Sequence, residues 1–239
     1  MTAAGVDETE RGQEPGRDAE NENPGLRFAA FGISRHRLFR DGQGVTTLVG
    51  GIGCPLSCSW CINAVCRDPS YKPKIFTSAE LYERLKIDDL YFEATNGGVT
   101  FGGGEPLLQA AFIREFIGFV RSLGKSWRFA VETSLAVPEE NLSFLLGEDE
   151  NGGPLVSEWI VDVKDTDPAV YEAYTGLSPD RMRKNLGRLA ALCPSRVVVR
   201  VPLIPGYNTP EACVRSEKTL RDMGFENIDR FDYVLPKGK

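Results

Sequence analysis

A single histidine, His36, serves the whole chain of 239 residues. No pair of imidazoles can therefore share acid–base work or build a multi-histidine metal site, and His36 reads as an ordinary surface or loop residue. A dense stripe of lysine and arginine is also missing. The formal charge is -6, and seven acidic against two basic side chains in the first 25 residues account for -5 of it. The remainder is nearly neutral and lacks the electrostatic attraction that supplies most non-specific affinity for nucleic acid, so no nucleic-acid partner is expected. No apolar run approaches the roughly 20 residues that span a bilayer. The first 25 residues are too acidic and too poor in apolar side chains for a secretory signal, so the expected setting is cytoplasmic, without a membrane partner.

Residues 1–25 are rich in Glu, Asp, Gly, Asn and Pro. They cannot bury enough apolar surface to offset the entropy of ordering and are expected to form a disordered acidic tail. Residues 26–239 are expected to form one core domain, since 41% apolar composition over this length suffices for a substantial core. Strand-like runs at 44–49, 98–101, 127–132, 159–163, 196–201 and 230–234 alternate with helical patterns at 78–85, 108–123, 139–146, 179–192 and 210–223. Thr77 and Glu80 have the spacing of a capping box. Six strands separated by helices imply parallel pairing through right-handed crossovers, and the expected fold is α/β, a partial (β/α)6 barrel. In such barrels the chemistry gathers at the C-terminal ends of the strands.

Two motifs sit where that rule places chemistry. Cys54-Pro-Leu-Ser-Cys58-Ser-Trp60-Cys61 brings three of the six cysteines within eight residues. In a reducing compartment such spacing favours metal ligation over disulfides. Three thiolates can hold three corners of a 4Fe-4S cluster, leaving one iron open to a small ligand. The same thiols could instead bind zinc together with His36, or simply pack beside one another in the core. The second motif, Thr100-Phe-Gly-Gly-Gly-Glu105-Pro106, follows a predicted strand and precedes a helix. Gly102, Gly103 and Gly104 allow close approach of a ligand to backbone amides, and Glu105 can accept hydrogen bonds from an ammonium group. Asp162 and Lys164 alternate along one predicted strand and so project to one face, as a ligand-orienting pair or as a surface ion pair.

Together these motifs resemble the radical S-adenosylmethionine superfamily. The wording Gly53 to Cys61, with Phe101-Gly-Gly-Gly-Glu105-Pro106-Leu-Leu-Gln109, is most similar to its glycyl-radical-enzyme activating enzymes. Asp41-Gly-Gln-Gly44, Val161-Asp162-Val163-Lys164, Tyr174-Thr-Gly176, Asn185-Leu186 and the run Arg200 to Asn208 match in order, so the resemblance covers residues 30–236. It implies the radical SAM type of barrel, a 4Fe-4S cluster on Cys54, Cys58 and Cys61, and S-adenosyl-L-methionine as second cofactor. It places the methionine moiety at Gly103, Gly104 and Glu105, Asp162 and Lys164 at the cofactor or a nearby cation site, and Trp60 on the adenine side.

Glu132-Thr133 ends the third strand as in those activases, whereas Ser134-Leu135 replaces their usual small residue and glycine. No second cysteine-rich block lies between Cys61 and Gly102, so one cluster is expected. The implied partners are a glycyl-radical enzyme as protein substrate and a flavodoxin or ferredoxin-type electron donor. Two other readings stay open: radical chemistry on a small molecule or peptide, as in carboxydeazaguanine synthases, and a non-catalytic zinc or iron-sulfur binding protein.

Overall fold

The computed structural model describes residues 25–38 and 41–235. The expected acidic tail lies outside the described residues up to residue 24, and so do residues 236–239. Among the described residues no helix is long and apolar enough to cross a membrane.

Six strands run parallel and side by side in chain order: β2 (Val45–Gly51), β4 (Gly98–Gly103), β5 (Arg128–Thr133), β6 (Glu158–Asp162), β7 (Val197–Leu203) and β8 (Asn227–Asp232). Helices cross between them: α1 (Ser78–Leu85), α2 (Asp89–Thr95), α3 (Ala110–Ser122), α4 (Glu139–Ser143), α5 (Pro168–Thr175), α6 (Asp180–Leu192) and α7 (Pro210–Asp222). This is the expected α/β partial barrel, and α1 begins with the expected capping box between Thr77 and Glu80. The sheet is larger than expected. β1 (Phe28–Leu38) pairs antiparallel with β2, and β3 (Lys74–Phe76) pairs antiparallel with β1, which makes eight strands in the order β3-β1-β2-β4-β5-β6-β7-β8. β1 escaped a period-two reading because its outer half is polar and exposed and its register with β2 shifts twice. The last strand starts three residues earlier than the pattern indicated, because its exposed polar residues carry no alternation.

The core lies between the outer face of the sheet and the helices. Phe101 and Phe129 on the strands meet Phe116 of α3 edge-on, and Phe112 stacks below it. Phe112, Ile113, Phe116, Ile117 and Val120 of α3 are buried and Phe119 is half-buried, while Trp127 and Trp159 are buried as well. The inner face of the sheet is built differently. Arg200 on β7 donates to Glu132 on β5 at 2.7 Å, and Asp41, in the turn before β2, pairs with Arg37 and receives the Thr100 hydroxyl on its carbonyl. Asp41-Gly-Gln-Gly44 thus closes the N-terminal end of the barrel. A side chain on Gly44 would come within 2.5 Å of the Thr95 carbonyl, and its φ of +72° also favours glycine.

α5 was not anticipated, although its signals are present. Asp167 caps it by accepting from the amides of Ala169 and Val170, Pro168 starts it, and Gly176 ends it at φ +77°. Eight residues containing two tyrosines and a valine simply gave no helical periodicity. Asp167→Ala removes the cap and is expected to lower the unfolding free energy by about 1 kcal/mol; a urea midpoint equal to that of the wild type would show that α5 does not need it.

Candidate active site

The loops that follow the parallel strands meet over the C-terminal end of the sheet around a cavity of about 140 Å³. Cys54, Cys58 and Cys61 form one wall, Gly103, Gly104 and Glu105 another, and Asp162 and Lys164 a third. Eight of the nine residues singled out from the sequence therefore share one space. The ninth, Trp60, points elsewhere. Its indole nitrogen donates to the Pro205 carbonyl at 3.3 Å, and its own carbonyl accepts from the Tyr233 hydroxyl. Larger hollows of about 300 and 480 Å³ lie towards the two edges of the sheet, but neither gathers motif residues.

The cysteine loop leaves β2 and is held from two sides. The amides of Ser57 and Ser59 donate to the carbonyls of Thr175 and Tyr174, at 2.8 and 3.1 Å, so the C-terminal turn of α5 is its support. Gly176 must be small there, since a Cβ would lie 2.6 Å from the Ser57 hydroxyl. On the other side stands the glycine loop. Two of its amides are engaged within the protein: Gly104 donates to Gly51 at 3.1 Å and Glu105 to Gly53 at 2.7 Å. A side chain on Gly104 would stand 2.3 Å from the Gly53 carbonyl. The glycines let two loops pack together, which no reading of a single motif could reveal.

Glu105 lies on the cavity wall with its carboxylate held by protein donors. It is 1% exposed, and its carboxylate accepts from Thr133 Oγ1 at 2.6 Å, from Ser134 Oγ at 2.7 Å, from the Ser134 amide at 2.9 Å and from the Leu107 amide at 3.2 Å. Two donors on each oxygen fill the four lone-pair positions of a carboxylate. Burial raises the Glu105 carboxyl above the usual range, and these hydrogen bonds oppose it. Ser134, the unexpected residue after the third strand motif, supplies two of the four bonds. Leu135 occupies φ +58°, a backbone that favours the glycine expected there, and its side chain is fully buried.

Asp162 ends β6, whereas Lys164 lies beyond the strand at φ +67°, so the two do not alternate along one strand as expected. The turn brings them together nonetheless, and Lys164 Nζ donates to Asp162 Oδ2. Burial works against the Lys164 charge, but Asp162 and Cys58 outweigh it, and its proton is held more tightly than usual. The other oxygen, Asp162 Oδ1, is buried without a hydrogen-bond partner among the described residues, as is the Tyr171 hydroxyl. Burial pushes the Cys54 thiol up to about 12 and raises Cys58 as well, while a hydrogen bond from Cys66 lowers Cys61.

Sequence reasoning missed Asn63 and Tyr233 on this cavity, and noted Ser134 and Tyr174 without giving them a role there. Asn63 donates to the Gly103 carbonyl at 3.1 Å, and the Tyr233 hydroxyl donates to the Trp60 carbonyl. Asn63 follows the last motif cysteine by two residues and could have been suspected from that proximity. Tyr233 has no local signal.

Residues 48–212 match the sequence pattern of the Radical SAM superfamily. The chain belongs to the radical SAM superfamily. It is 31% identical over 206 residues to the pyruvate formate-lyase 2-activating enzyme of Escherichia coli strain K12, covering 74% of this chain and 67% of that protein. It is 32% identical over 155 residues to the indoleacetate decarboxylase activating enzyme of Tractidigestivibacter scatoligenes, covering 63% of this chain and 46% of that protein. The matched region thus spans about half the length of the latter relative. Among solved structures, Streptococcus suis SuiB superposes with a TM-score of 0.58 at 14% identity, over 78% of this chain and 39% of that one, which is a likeness of fold.

The cofactors of radical SAM proteins are a 4Fe-4S cluster and S-adenosylmethionine, and the cavity fits them. Its wall carries three thiols and an unsatisfied carboxylate oxygen beside an ammonium group. Among the described residues no three His, Cys, Asp or Glu side chains come together closely enough to hold one metal ion. A cubane makes a different demand, because each cysteine takes a different iron and the sulfurs stand apart. The zinc alternative loses its fourth ligand, since His36 Nε2 lies 3.0 Å from Asp88 Oδ1.

Glu105→Ala leaves four donors, two of them fully buried, without their acceptor and is expected to cost about 3 kcal/mol of stability in the cofactor-free protein. A loss below about 1 kcal/mol in urea denaturation would contradict a structural role for the carboxylate.

Proposed function

We propose that this chain is a radical S-adenosylmethionine oxidoreductase that installs a glycyl radical on a partner enzyme, with residues 26–239 as its core domain. The observation that carries the reading is the meeting of Cys54, Cys58 and Cys61 with Gly103, Gly104, Asp162 and Lys164 around one cavity. Relatives named as activating enzymes support the choice of substrate class. When bound, the reduced cluster supplies one electron to S-adenosylmethionine, whose cleavage gives a 5'-deoxyadenosyl radical that takes a hydrogen atom from a glycine Cα.

The three cysteines hold the cluster. Lys164 and Asp162 meet the carboxylate and ammonium groups of the methionine moiety: Lys164 offers donors, and Asp162 Oδ1 is a free acceptor. Gly103 and Gly104 let that moiety lie against the backbone. Glu105 serves the same site from behind, by locking the glycine loop to the end of β5. Trp60, half-buried and tied to Pro205 outside the cavity, stands on the adenine side. The partner enzyme, docked over the open end of the barrel, excludes water from the radical. The electron donor is a flavodoxin or ferredoxin-type protein, in keeping with a cytoplasmic setting.

Anaerobic reconstitution with iron and sulfide, followed by dithionite and S-adenosylmethionine, is expected to release 5'-deoxyadenosine from the wild type and none from Cys58→Ala. A wild-type protein that binds zinc instead of iron, or a loaded cluster that yields no 5'-deoxyadenosine, argues against the proposal. Lys164→Met is expected to retain the cluster while weakening S-adenosylmethionine binding at least tenfold, or about 1.4 kcal/mol. Isothermal titration of the oxidised, cluster-loaded protein checks this, and unchanged affinity would remove Lys164 from the cofactor site.

A further inference from the structure

The cysteine loop is held on three sides, and the three attachments differ in kind. Towards the glycine loop, the amides of Gly104 and Glu105 donate to the carbonyls of Gly51 and Gly53, and the buried Glu105 carboxylate stands behind them. Towards α5, the amides of Ser57 and Ser59 donate to Thr175 and Tyr174. The third attachment crosses the mouth of the barrel. The Tyr207 hydroxyl, in the loop after β7, donates to Ser59 Oγ at 2.6 Å, and the Trp60 indole donates to the Pro205 carbonyl at 3.3 Å. The Tyr233 hydroxyl, one residue past β8, donates to the Trp60 carbonyl. Among the described residues, the hydrogen bonds that join the cysteine loop to the loops after β7 and β8 all run through side chains, and two of the three are exposed to solvent. The sheet adds nothing there, since β3 and β8 are its outer strands and do not pair with each other.

The tip that carries Pro205 and Tyr207 stands on a fixed base. Asn208 accepts from the Ile204 amide at 2.6 Å and donates to Asp165 and Pro202. Gly206, at the tip itself, takes φ +81° with open space where a side chain would stand. The cavity behind this attachment measures about 140 Å³, whereas pockets for small organic ligands run from roughly 300 Å³ upward. A wall must therefore move before S-adenosylmethionine can meet Asp162 and Lys164. Moving the glycine loop strips the Glu105 carboxylate of its donors, and moving α5 breaks backbone bonds. At the mouth, water can replace each exposed hydroxyl contact that lets go, so parting there costs least.

We propose that Tyr207 and Tyr233 are positioning residues that latch the mouth of the barrel, and that S-adenosylmethionine enters and leaves when their hydroxyls release Ser59 and Trp60. The inference rests on the proposed function, which puts that cofactor in this cavity.

The test compares the wild type with Tyr207→Phe and Tyr233→Phe, which keep both rings and remove one hydrogen bond each. Association and dissociation of radiolabelled S-adenosylmethionine are followed by rapid filtration on the oxidised, cluster-loaded proteins. Both rates are expected to rise together by about fivefold, the weight of one hydrogen bond on the opening equilibrium, with the Kd unchanged. In the cofactor-free proteins, acrylamide quenching of tryptophan fluorescence reads the latch directly, because Trp127 and Trp159 are buried and Trp60 is the indole within reach of the quencher. Stronger quenching is expected in Tyr233→Phe than in the wild type. Unchanged rates in both variants overturn the latch, and so does quenching equal to that of the wild type. A weaker Kd at an unchanged association rate makes the tyrosines part of the cofactor site and overturns it as well. A wild-type protein that loads a cluster but binds no S-adenosylmethionine defeats the proposed function and the entry route with it, a failure recognisable before any variant is made.

Discussion

Glu105, through its backbone amide and its buried carboxylate, holds the ends of three strands in one place. Its backbone amide reaches Gly53 in the loop after β2, its own loop leaves β4, and its side chain takes the donors offered by Thr133 and Ser134 at the end of β5. A charged group so deeply buried is tolerable only because every acceptor position is filled. The cost of removing it from water is thus converted into a fixed relation between the cysteine loop and the glycine loop. The shape of the cavity follows from that relation.

Several other recurrent-looking residues prove to be scaffolding of the same kind. Asn185 spans from α6 to the carbonyls of Leu135 and Val137, steadying the turn after β5. Asn208 accepts from the Ile204 amide at 2.6 Å and donates to Pro202 and Asp165, which joins the loop after β7 to the turn after β6. Gln109 pairs with both backbone groups of Ala29 and so fastens β1 to the loop after β4. The motifs describe a cavity held in position by its loops, with few side chains free to meet a ligand. Asp162 and Lys164 are the charged pair that stays available on its wall.

Much of this was legible in the sequence, for identifiable reasons. Apart from the exposed β8, the parallel strands are buried on one or both faces and read as short apolar runs, and α3, α6 and α7 carry long amphipathic patterns. The cysteine spacing and the three glycines are local, so they survived reading from one chain. What stayed hidden depends on contacts distant in sequence. The antiparallel β1 has no periodicity of its own, the amides of Gly104 and Glu105 are consumed by a loop 53 and 52 residues earlier, and the Glu105 carboxylate finds donors 28 and 29 residues later. Lys164 turned out to lie past the end of its strand because a left-handed residue at a strand terminus leaves no compositional trace unless it is glycine.

The parallel strands stand in the sheet in the order in which they occur along the chain. Each of them therefore docks onto a neighbour that has already been made, and none has to be threaded between two strands already paired. During vectorial synthesis, where N-terminal parts emerge first, the loop bearing the thiols and the loop bearing the glycines would come together while the segments carrying Asp162 and Arg200 were still being polymerised. The half of the cavity that bears the thiols and the glycines is thus the older half of the molecule in the lifetime of every copy, and the half that bears Asp162 and Lys164 is added to it.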